Sequence, residues 1–160
     1  MNDVLGAGMS SRLFREVRER RGLAYSVSSG YGYLADAGVF NISAGVNREQ
    51  LTETISVCID EAERLATDLV PDDELRKAKD HNLGRFRLSL ETAFSLGQRH
   101  GELLITKDEI ESIDDVVAQV EAITAEDVRA VAQRILARGK LHASVVGPDI
   151  NVDEVEAALG

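Results

Sequence analysis

Five arginines crowd residues 12–21, and they differ in their local partners. On a helix, residues three and four apart face each other, which matches Arg12 with Glu16, Arg15 with Glu19 and Glu16 with Arg20. Arg18 instead has Phe14, Arg15, Arg21 and Gly22 at those offsets, so it lacks a local acidic partner. Seven residues on, past Gly22, comes Tyr25. A guanidinium offers a rigid fork of N–H donors and a phenol one O–H donor. Two such groups brought to one place can hold a peptide carbonyl or the oxyanion that develops from it. The plainer alternative is a solvated arginine near a half-buried tyrosine, and these residues alone leave both open.

The remaining reactive residues are read as structural. His81, His100 and His142 are the only histidines, and none is paired at the i, i+4 spacing that sets two metal ligands on one helix face. His81 and His100 would lie about 28 Å apart along a continuous helix. The chain is therefore expected to hold no metal and no cofactor of its own. Cys58 falls on an apolar stripe with no histidine near it in sequence, which suits a buried thiol better than a nucleophile. Residues 30–35, Gly-Tyr-Gly-Tyr-Leu-Ala, fit a dinucleotide-binding glycine pattern by letter. A turn and a strand are expected after them, not a helix, so that reading fails on context.

The elements that must position Arg18 and Tyr25 follow from periodicity. Val4 and Leu5 look like the last turn of a helix ended by Gly6-Ala7-Gly8. Ser10 or Ser11 can cap the arginine helix, whose apolar face would be Met9, Leu13 and Val17, and Gly22 ends it. Residues 24–33 and 39–46 each alternate, with Tyr25, Val27, Tyr31 and Tyr33 on one parity of the first run. Asp36-Ala37-Gly38 between them predicts an antiparallel hairpin. Asn47 and Gln50 have capping-box spacing before a stripe of Leu51, Ile55, Ile59, Ala62, Leu65 and Leu69. Pro71 opens a further helix expected to run through Phe86 and Leu90 and to bend near Gly97 or Gly101. Helices are expected over 113–123 and from Thr124-Asp127 through Leu136, a short strand over 141–146, and a last turn capped by Asn151 and Glu154. The sum is one α+β domain over 1–160, an antiparallel-rich sheet with helices packed on one face. Three strands are few for so many helices, which predicts that sequence upstream is missing.

Composition narrows the function. The chain has 160 residues and a formal net charge of −10, and residues 11–21 carry +3 within it. An acidic surface argues against a nucleic-acid partner. No apolar run reaches the ~20 residues of a membrane span, so no membrane partner is expected. A single cysteine forbids an internal disulfide and points to a reducing, cytoplasmic location.

Residues 5–27, Leu-Gly-Ala-Gly-Met-Ser-Ser-Arg-Leu-Phe-Arg-Glu-Val-Arg-Glu-Arg-Arg-Gly-Leu-Ala-Tyr-Ser-Val, resemble the signature of the C-terminal half of pitrilysin/insulinase-type zinc metallopeptidases. The likeness is to the bacterial two-domain members related to mitochondrial processing peptidase. Fainter similarity runs through residues 74–79, 124–128 and 145–148, so the whole chain is covered; Ala7 stands where a third glycine is commoner. The resemblance implies one truncated copy of a repeated α/β half. Its sister N-terminal half carries an HxxEH motif, zinc and the general base. It further implies that Arg18 and Tyr25 contact peptide substrate near the scissile bond, and that zinc belongs to the complete enzyme. Implied partners are peptide substrate, an HxxEH-bearing half or partner subunit, and a second copy of the chain as a homo-oligomer. The competing expectation is a non-catalytic structural or assembly subunit of the same family.

Overall fold

The structure, a computed structural model, describes residues 1–34, 36–136 and 141–160. They form two compact units: Met1–Val70 with Ala125–Gly160, and Pro71–Thr124.

The first unit begins with α1 (Asn2–Leu5) and a tight glycine turn, then a π-helix (Phe14–Arg20), β1 (Ala24–Tyr33) and β2 (Gly38–Val46). The two strands pair antiparallel as a hairpin, with Leu34 N–H donating to Ala37 O at 2.7 Å across the turn. A short 3-10 turn (Arg48–Gln50) leads into α2 (Leu51–Thr67), and α6 (Ala125–Ile135) and α7 (Val152–Leu159) pack against α2. Leu5, Leu13, Val17 and Leu65 are completely buried and form the centre of this unit with Val57, Ala62, Val128 and Ala132. Burying one such side chain is worth roughly 1.5–3 kcal/mol. Polar clamps fix the ends: Arg48 Nε donates to Asp149 O and its NH2 to Glu154 Oε2, both at 2.9 Å, and Gln133 Nε2 donates to Ala66 O at 2.9 Å.

The second unit holds α3 (Asp72–Ser89), α4 (Ala93–Lys107) and α5 (Ile113–Ala122). Its interior is thin. Leu83 and Leu103 are its buried apolar residues, and Arg99 lies over the Phe86 ring at 5.0 Å while reaching Glu111 at 3.4 Å. Lys79 Nζ donates to Glu121 O at 2.6 Å, tying α3 to α5.

The helix-rich α+β class and the antiparallel hairpin are as the sequence predicts, but four local expectations are corrected. The break after α3 falls at residues 90–92, not at Gly97 or Gly101, because Thr92 Oγ1 accepts from Ser95 N at 3.0 Å and starts a new helix. Gly97 and Gly101 sit inside α4, where lacking a side chain costs propensity without breaking the ladder. Asn47 makes no side-chain cap; the backbone tightens into the 3-10 turn, in which Gln50 N–H donates to Asn47 O at 3.0 Å. Residues 141–146 form no strand, since the segment has no ladder partner among the described residues; Val146 is left almost fully exposed. Met9 is exposed rather than on the apolar face of the arginine helix, because the helical turns start only after Ser11. Asn151 does cap α7, accepting from Asp153 N at 3.0 Å.

Candidate functional site

The arginine helix is anchored from both ends by glycine. At Gly6 the chain runs against β1: Ser29 N–H donates to Gly6 O at 3.1 Å, and Ser29 Oγ donates to Asn2 Oδ1 at 2.7 Å. A Cβ on Gly6 would stand 2.5 Å from Ser29 N, so only glycine fits the approach. Ser11, buried, turns its hydroxyl back to Gly8 O at 2.6 Å. At the other end Gly22 takes φ +61°, and Leu23 N–H closes onto Val17 O at 2.8 Å. This is a Schellman-like close, spanning six residues because the last turn is π-wide. Leu13 and Val17 point inward, so Arg15, Arg18, Glu19 and Arg20 are carried on the solvent side.

Within that helix the charges sort differently from the α-helical expectation. Glu16 and Arg20 pair at 2.6 Å, and Arg21 approaches Glu53 on α2 at 3.8 Å. Arg15 and Glu19, at the same i, i+4 spacing, make no ion pair among the described residues. Arg18 makes no ion pair among the described residues, and its guanidinium lies over the Phe14 ring with Cζ 5.0 Å from the centroid. Phe14 stands at one of the offsets noted from the sequence, which held the signal for this contact although no stacking was inferred.

Tyr25 is set by a different irregularity. Ala24 pairs with Val46 and Ser26 with Gly45, so Tyr25 is the extra residue of a β-bulge. The bulge shifts the alternation: Ala24, Val27 and Ser29 turn inward, while Tyr25 leaves the parity of Val27 and stands 87% exposed. The expectation that Tyr25 and Val27 share a face is thereby overturned. Arg18 and Tyr25 thus flank the Gly22 turn, both open to solvent, and share no hydrogen bond. Each is a donor without a hydrogen-bond partner among the described residues and can donate to an oxygen arriving from solvent.

Elsewhere, reactive groups are inert or dispersed. Cys58 is buried on α2, and burial, then the nearby Glu61 carboxylate, pushes its thiol up to about 12, far from a nucleophile's range. His81 lies on α3, His100 on α4 and His142 beyond α6, and among the described residues no group of three or more His, Cys, Asp or Glu could hold a metal ion. The donors present do not fit a zinc site. An apolar cleft of about 420 Å³ opens at the far end of the hairpin between Met1, Tyr31, Val39, Phe40 and Ile135 and includes neither Arg18 nor Tyr25. No helix among the described residues is long and apolar enough to cross a membrane.

The profile described as the peptidase M16 inactive domain matches residues 1–82, and the chain belongs to that family. It is 42% identical over 148 residues to an uncharacterized zinc protease of Streptomyces coelicolor, covering 92% of this chain and 32% of the relative. An uncharacterized zinc protease of Bacillus subtilis is 35% identical over 137 residues, covering 84% and 33%. Among solved structures, a peptidase M16 inactive domain from Pseudomonas fluorescens matches with TM-score 0.75 at 29% identity, covering 85% of this chain and 32% of that one. A protease from Helicobacter pylori matches with TM-score 0.71 at 25% identity, covering 83% and 32%. The chain spans about a third of the length of these relatives.

Proposed function

We propose that this chain is the substrate-binding C-terminal half of a zinc metalloendopeptidase, with Arg18 and Tyr25 gripping the peptide backbone beside the scissile bond. The observation that carries the reading is that an arginine without an ion pair among the described residues and an exposed, bulge-presented tyrosine stand on either side of the Gly22 turn. Membership of the M16 family and the zinc-protease relatives support it. Zinc, the general base and the activated water belong to an HxxEH-bearing half or partner subunit, because this chain's histidines are dispersed. The role left to this chain is to position: donors held before the reaction need no reorganisation as charge grows on the carbonyl oxygen. The test is reconstitution. Alone, the purified chain should take up no stoichiometric zinc and leave casein and a quenched fluorogenic peptide uncut; joined to a zinc-binding half it should support chelator-sensitive cleavage. One tightly bound zinc with proteolysis by the chain alone would overturn the division of labour. A complex that assembles but never cleaves would favour the structural-subunit reading.

A further inference from the structure

Arg18 is long, solvent-exposed and without an ion pair, which by itself describes a side chain spread over many rotamers. A donor fork in that state would lose most of its value, because each rotor must be frozen when substrate arrives. The structure supplies a remedy four residues earlier, where the Phe14 ring, half-buried, carries the guanidinium on its face at 5.0 Å from the centroid. Resting on the preceding proposal for Arg18, we propose that Phe14 is a positioning residue for it: the ring fixes the plane of the guanidinium before substrate binds.

The chemistry fits this task better than an ion pair would. A carboxylate partner would occupy the N–H donors and neutralise the charge, as Glu16 does for Arg20 at 2.6 Å. A ring face attracts the cation through its quadrupole and leaves the N–H groups at the guanidinium edge unengaged. The backbone that carries the half-buried ring is anchored, since Phe14 opens the π-helix directly after fully buried Leu13 and three residues before fully buried Val17. The contact is thus an orientation device that spends none of the donors the substrate needs.

An exposed cation–π contact corresponds to a factor of about two to five in an equilibrium. In the complete zinc enzyme, Phe14→Leu should therefore lower kcat/KM on a fluorogenic peptide by about two- to five-fold, against roughly ten- to a thousand-fold for Arg18→Ala. Phe14→Trp, which keeps the π face, should restore activity, and Phe14→Leu added to Arg18→Ala should cost nothing further. A spectroscopic readout on the present chain removes fold from the question: the Arg18 side-chain Nε–H resonance should lose its ring-current shift in Phe14→Leu, with the backbone amide spectrum otherwise kept. Two results separate the failures. If Arg18→Ala is damaging while Phe14→Leu leaves either the resonance or kcat/KM unchanged, Phe14 has no positioning role and the proposal for Arg18 stands. If Arg18→Ala retains full activity, both fall.

Discussion

Replacing Gly6 with alanine tests how the arginine helix is pinned to the sheet. The new Cβ would lie 2.5 Å from both Ser29 N and Ser29 Oγ, and 2.8 Å from Ser29 Cβ. Because one of the clashing atoms is backbone nitrogen, no rotamer change of Ser29 relieves it. Either α1 or β1 must retreat, straining or breaking the Ser29 N–H to Gly6 O bond of 3.1 Å and the Ser29–Asn2 bond of 2.7 Å. Overpacking costs roughly 1–3 kcal/mol and a lost hydrogen bond about 1 kcal/mol, so the substitution should destabilise by about 2–4 kcal/mol. For a chain of 160 residues that is a fall in Tm of roughly 4–16 °C, read by circular dichroism at 222 nm. Adding Ser29→Gly should not restore stability, since the nitrogen remains. Gly84→Ala is the control: nothing lies within 4 Å of its Cβ inside α3, and it should be neutral or stabilising by up to about 1 kcal/mol. If Gly6→Ala melts within 1 °C of the parent, the close approach is not what holds the turn, and the reasoning fails.

Cys58 should react with Ellman's reagent at pH 8 only as fast as the chain unfolds, because burial keeps the thiol protonated; prompt labelling would contradict that. The same shift has a pH consequence: its stabilising contribution is full below the unfolded thiol's value near 9 and is lost as pH rises toward about 12, by up to roughly 1.4 kcal/mol per unit. Denaturant titrations at pH 8 and 10 should show the parent losing more stability than Cys58→Ala across that step. The isolated chain should also self-associate, since the hairpin exposes Tyr31, Tyr33, Leu34 and Val39 with an open strand edge; a concentration-independent monomer in sedimentation velocity would refute this.

Much of the fold was legible because it rests on local periodicity. The hairpin and the stripe through Leu51, Ile59, Ala62 and Leu65 declare themselves by alternation and helical spacing, and burial follows. The features that shape the candidate site were not legible, because each departs from that periodicity. A single inserted residue at Tyr25 changes strand parity without changing composition, and a π-turn over residues 14–20 uses helix-forming residues with different offsets. Of the two i, i+4 pairs expected inside that turn, Arg20–Glu16 forms and Arg15–Glu19 does not. The segment 141–146 alternates like a strand yet has no ladder partner among the described residues, and pairing is a tertiary condition that spacing cannot reveal.

The central claim, that Arg18 and Tyr25 serve as donors to substrate, is tested most directly by steady-state kinetics of the reconstituted zinc enzyme. Arg18→Ala and Tyr25→Phe should each lower kcat/KM by roughly ten- to a thousand-fold, with zinc content and Tm nearly unchanged because both side chains are exposed. The double mutant should lose less than the product of the two if both donors hold one carbonyl. Arg20→Ala, whose guanidinium is engaged by Glu16 at 2.6 Å, shares the helix and the charge and should cost little. Full activity in Arg18→Ala, or equal damage from Arg20→Ala, would show that the helix supplies general electrostatics and no specific grip.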